Sequence, residues 1–87
     1  MAELEQKLAS LKEDLRQARD ELRVQMHLAK ADARDEWEKL EPKWDEFEER
    51  LDKLEDAAED TAEDVGKALS SLGDEIKNGY ERIRKAL

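Results

Sequence analysis

Leu4, Leu8, Leu11, Leu15, Ala18 and Leu22 follow one another at alternating steps of four and three. That spacing lays one apolar stripe along one face of a helix. The stripe continues through Met26, Ala29, Ala33, Trp37 and Leu40, now in steps of eleven: Leu15 to Met26 to Trp37, and Ala18 to Ala29 to Leu40. Heptad spacing returns at Trp44, Phe47, Leu51, Leu54 and Ala58. Elevens resume in the last third, at Leu54, Val65, Ile76 and Leu87, with Ala58, Leu69 and Tyr80 as a second row and Leu72 and Ile83 beside them. Heptads favour a left-handed supercoil and elevens a straight or slightly right-handed one. The mixture predicts an all-α fold of long, gently wound amphipathic helices, as a coiled coil or an antiparallel helical bundle.

Composition agrees with the pattern. Of 87 residues, 47% are charged and 38% apolar, with three glycines and one proline. This is the usage of long helices, and the length allows one domain. The apolar stripe of a lone helix would stand in water. At roughly 1.5–3 kcal/mol per large apolar side chain, it must find a partner in the same chain or in another copy. Near residues 22–33, Val24, Leu28 and Ala31 add a second apolar edge beside the stripe, and Ala29, Ala31 and Ala33 allow close approach. A bundle of three or four helices is expected there rather than a two-stranded coil.

The chain must reverse somewhere. Pro42 cannot donate a backbone hydrogen bond and costs about 3 kcal/mol inside a helix. It could start a second helix, dividing the chain into segments of about 3–41 and 42–87. The stripe keeps phase from Leu40 to Trp44 and Phe47, and no Gly, Asn or Ser stands nearby. These features favour a helix that runs on with a kink. Turn residues come later: Gly66, Ser70-Ser71-Leu72-Gly73-Asp74 and Asn78-Gly79, so a second break is expected within 57–74. Like-charged i,i+4 pairs from Asp52 to Asp64 weaken the helix locally and make 52–64 another candidate for the reversal.

Charge excludes some partners. The net charge is −9, which repels nucleic-acid phosphates. Residues 45–64 carry eleven acids against Arg50 and Lys53, whereas 77–85 are basic. The acidic run reads as a solvated face, and the basic end as complementing a helix C-terminus. There are no cysteines, so thiolate chemistry and disulfides are excluded. The N-terminus has no secretory pattern and no apolar run reaches the roughly 20 residues that span a bilayer. A cytoplasmic protein is expected.

Catalytic signatures are missing. His27, the only histidine, has no acid three or four residues away to orient it and reads as an interface or surface residue. Val24 stands where a Glu-x-x-His di-iron motif would place glutamate. DAAEDTAEDVGK lacks the ligand order of a calcium loop. Ser10, Ser70 and Ser71 lie in no nucleophile motif. No catalytic residue, metal ligand or cofactor site is assigned.

In spacing, TAEDVGKALSSLGDEIKNGYERIRKAL is similar to the eleven-residue repeats of exchangeable apolipoproteins and late-embryogenesis-abundant proteins. That likeness implies an alternative role, adsorption to a lipid surface or protection under stress. Against it, the polar face is acidic, whereas anionic lipid prefers Lys and Arg. The stretches VQMHLAKADARDEWEKLEPKW and EIKNGYERIRKAL resemble small bacterial coiled-coil proteins of unassigned function, over roughly residues 22–87. The resemblance implies a helical bacterial cytosolic protein. The expected function is a non-enzymatic helical self-assembly or protein–protein interaction module, forming a homo-oligomer or binding a partner helix. Its expected interface is the thickest part of the stripe: Leu22, Met26, Ala29, Ala33, Trp37, Leu40, Trp44, Phe47, Leu51 and Leu54.

Overall fold

A computed structural model describes residues 2–54, 56 and 59–87, without the side chains at 2, 59 and 60. Three helices account for nearly all of it: α1 Ala2–Gln25, α2 Ala31–Leu54 and α3 Glu59–Ala86. A single 3-10 turn, Met26–Leu28, links the first two. The helices pack as an up-down-up bundle. Leu4 meets Gly66 and Leu11 meets Gly73, so α1 and α3 run parallel. Leu40 meets Gly79, and Phe47 meets Gly73, so α2 runs against α3. The longest dimension is 44 Å, the length of about 29 helical residues at 1.5 Å each. The bundle is therefore one helix long, and every helix spans it.

The apolar stripe is the core of this bundle. Leu8, Leu15 and Leu22 of α1, Leu40, Trp44, Phe47 and Leu54 of α2, and Leu69, Ile76, Tyr80 and Ile83 of α3 are all buried. Leu4, Leu11, Ala18, Trp37, Leu51, Val65 and Leu72 pack around them, half-buried. The three helices cover the main stripe within one chain, as a bundle rather than a two-stranded coil, but the second apolar edge near 22–33 is not packed: Val24, Leu28 and Ala31 are exposed.

The reversals fall elsewhere than the division at Pro42. The helix of α2 continues through Pro42, which is exposed, so its ring and its missing donor face away from the core. The segments 3–41 and 42–87 are replaced by helices of 24, 24 and 28 residues. The first reversal is at residues 26–30. Ala29 there is extended, with φ −77° and ψ 153°, and its amide donates to the Met26 carbonyl at 3.2 Å. The second joins Leu54 to Glu59, inside the stretch weakened by like charges. Glu55, Ala57 and Ala58 lie outside the described residues.

Gly66, Gly73 and Gly79 break nothing, since α3 is continuous from Glu59 to Ala86. No break falls between 59 and 74. The three glycines are buried, and each admits a leucine of a neighbouring helix. A Cβ at Gly66 would strike Leu4, one at Gly73 would strike Leu11 and stand 3.2 Å from Phe47, and one at Gly79 would stand 2.6 Å from both Leu40 methyls. The glycines are packing notches that let α3 approach closely, at about 1 kcal/mol each in helix propensity.

Candidate interaction surface

Every residue of the expected interface is accounted for by internal packing. Leu22, Met26, Ala29, Ala33, Leu40, Trp44, Phe47 and Leu54 are buried within the single chain, and Trp37 and Leu51 are half-buried against them. Trp37 stacks on Tyr80 at 5.9 Å between ring centroids, and Trp44 on Phe47 at 6.1 Å. The hendecad row of α3 faces the same core through Leu69, Ile76, Tyr80 and Ile83. What remains for another molecule is the outer surface.

That surface carries three exposed large apolar side chains among the described residues: Val24 at 68%, Leu28 at 82% and Leu87 at 50% exposure. The topology gathers all three at one end. Val24 lies in the last turn of α1, Leu28 in the link to α2, and Leu87 just past α3. Ile83 and Ala86 of α3 border a shallow hollow with Asp32 and Ala33 of α2, which places the end of α3 beside that link. His27 is exposed on the same turn, a surface position as the sequence implies. The sequence places Val24 and Leu28 on one apolar edge but hides Leu87 from that group, because up to 63 residues separate them and the phase of Leu87 assigns it to the stripe. Position could have found them: each follows or closes a helix whose last buried residue precedes it.

Arg34 holds this end together. Its Nε donates to the Met26 carbonyl at 3.0 Å and its Nη2 to the His27 carbonyl at 2.8 Å. These carbonyls lie where α1 unwinds, the Met26 one already accepting from the Ala29 amide, and a guanidinium complements that C-terminal end. Other charges bridge the helices along the sides. Arg19 of α1 grips Glu41 of α2 with two hydrogen bonds of 2.9 and 2.8 Å and lies 5.9 Å over the Trp44 ring. The Glu41 hydrogen bond raises the Arg19 pKa above its ordinary value, against a smaller opposing effect of burial. Arg82 of α3 donates to Glu36 at 2.5 and 3.1 Å. That bond holds the Glu36 carboxyl below its ordinary range. Lys43 pairs with Glu75, and Arg84 with Glu21 at 3.7 Å. The basic end of α3 thus pairs with its own α1 and α2, while Asp52, Asp56, Glu63 and Asp64 stay exposed.

Tyr80 is the one buried side-chain polar atom without a hydrogen-bond partner among the described residues. Burial pushes its phenol well above the ordinary value of 10.0. It borders an open cavity of about 230 Å3 between α1 and α3 that also meets Asp14, Glu21, Lys77 and Arg84. Among the described residues, no group of three His, Cys, Asp or Glu side chains is placed to hold a metal ion, and no helix is long and apolar enough to cross a membrane. Comparison with models of protein families, with curated proteins and with solved structures gives no match.

Proposed function

We propose that this chain is a non-enzymatic helical interaction module of the cytoplasm that associates with copies of itself. The observation that carries this reading is the apolar end of the bundle. A chain with 38% apolar residues buries its stripe almost completely, yet leaves Val24, Leu28 and Leu87 in water at one place. Covering them gains roughly 1.5–3 kcal/mol per side chain. Charged side chains along the flanks are engaged in bridges within the chain, which leaves the end as the most apolar surface for a partner.

Light scattering across a concentration series tests it. The chain should pass from one-chain to two-chain mass as concentration rises. Val24→Ser with Leu28→Ser should shift that transition to higher concentration without loss of helicity. A one-chain mass at every concentration would reject self-association.

A further inference from the structure

We propose that two copies of this chain associate by exchanging α1, with α1, the 3-10 turn and α2 straightening into one helix that runs from Ala2 to Leu54. This deepens the self-association reading and rests on it.

The first observation is phase. Leu15, Met26 and Trp37 keep steps of eleven across the turn, as do Ala18, Ala29 and Leu40. A reversal resets the direction of the chain, so a closed bundle gains nothing from helical phase carried through it. A continuous helix requires it.

The second is the make-up of the turn. Residues 25–31 read QMHLAKA, with no Gly, Pro, Asn, Asp or Ser, although turns are ordinarily built from those residues. No described residue has positive φ. Gln25 is already helical, at φ −86° and ψ −12°, and Ala29 is the extended residue. Rotation of the Ala29 ψ from 153° to about −42° brings it into the helix, with modest adjustment of the neighbouring 3-10 turn. Met26 and His27 carbonyls would then accept from the amides four residues on and release Arg34.

The third is what straightening would cover. It lifts α1 off its own α2 and α3 and leaves their faces for α1 of the second copy. A two-fold axis at the turn restores each contact between chains: Leu4 with Gly66, Leu11 with Gly73, Arg19 with Glu41, Glu21 with Arg84. New contact arises at the axis. Val24, Leu28 and Ala31 are spaced by four and three on the straightened helix and form one apolar edge. The same edge of the second copy meets it, near both copies of Leu87. Side chains exposed at the end of the closed bundle thus become the centre of the dimer. Arg34 is the latch on the closed form.

The chain has no cysteine, so a crosslink can report which chains touch. In Glu21→Cys/Arg84→Cys, both positions are exposed and paired across α1 and α3. The protein is refolded at high concentration, its two-chain fraction is isolated by gel filtration, and a short bismaleimide is added. Exchange predicts covalent two-chain product in that fraction and one-chain product in the monomer. In two further variants the dimer population is read at fixed concentration. Arg34→Ala should raise it roughly tenfold, the scale of one hydrogen bond from a charged donor. Lys30→Pro follows a residue already extended, fits the start of α2 and penalises the long helix, so it should lower the dimer population roughly a hundredfold while circular dichroism stays helical. A two-chain fraction whose crosslinks stay within chains overturns the exchange and leaves self-association standing. One-chain mass at all concentrations, in Arg34→Ala as well, overturns both.

Discussion

The flanks of α3 and the contact between α1 and α2 solve the same packing problem in opposite ways. Along α3, three glycines remove side chains at buried positions, and leucines of both neighbours enter the space. The close backbone approaches of the bundle are those of α3 with α1 and with α2. Between α1 and α2 the backbones stay farther apart, and long amphipathic side chains span the distance. Arg19 reaches across to Glu41 with its guanidinium over the Trp44 ring, and a groove of about 320 Å3 lies between Lys12 and Arg16 on one side and Glu48 and Leu51 on the other. A chain that is 47% charged has few large apolar residues for three interfaces. It concentrates dense packing on one helix and closes the remaining side with residues that tolerate water.

If that division holds, damage on the α3 side should cost most. Phe47 is fully buried against Gly73, so Phe47→Ala should lose about 3–5 kcal/mol in urea denaturation. A loss like that of a surface substitution would place the density elsewhere. Next comes Gly79→Ala. Leu40 is buried and cannot swing away, so overpacking should cost about 1–3 kcal/mol despite better helix propensity. Gly66→Ala faces only half-buried Leu4, which can move outward. It should be nearly neutral, because the propensity gain of up to about 1 kcal/mol offsets the strain. Equal costs at the two glycines would break the gradient along α3.

The α1–α2 bridge and the polar groups of α3 should yield smaller numbers. A double-mutant cycle on Arg19→Ala and Glu41→Ala should give a coupling of about 1 kcal/mol, at the high end for a partly exposed pair because it is bidentate. Coupling near zero would leave the spacing of these helices to Trp44 alone. Tyr80→Phe removes a buried hydroxyl without a partner and should be neutral or stabilise by up to about 1 kcal/mol. It carries a pH signature as well. Burial raises the Tyr80 pKa, so the fold favours the neutral phenol. That contribution is complete below the ordinary value of 10.0 and is lost as pH rises beyond it. Wild-type stability should fall in that alkaline range more steeply than that of Tyr80→Phe. The smallest effect belongs to Glu36, held below the usual carboxylate range by Arg82. Its contribution is present at neutral pH and fades as pH falls through that range. Arg82→Gln should flatten this acid limb of the stability curve, read by thermal melting.

Sequence periodicity made the core legible because each helix buries one face: Leu22, Leu40, Phe47, Leu54 and Ile76 all lie where the stripe places them. Periodicity could not reveal that one chain would supply all the faces, since an apolar stripe is satisfied equally by its own chain or by another. The first reversal is hidden because phase runs through residues 26–30, the residues are good helix formers, and the stabilising Arg34 sits beyond the turn. The second reversal was visible in the like charges of 52–64, which no helix interior favours. Glycines 66, 73 and 79 looked like breaks because glycine commonly ends helices. Their positions beside stripe residues, with the seven-residue interval of Gly66 and Gly73 matching that of Leu4 and Leu11, were the sign of packing.

Pro42 stands between two residues that leave α2 in different directions, Glu41 toward Arg19 of α1 and Lys43 toward Glu75 of α3. The rung that a residue 42 amide would form to the Glu38 carbonyl is absent by chemistry. In terms of amide exchange, α2 lacks one protected rung at its middle, a seam in the ladder. The seam is clamped on both sides, so it opens only when a bridge to each neighbour lets go.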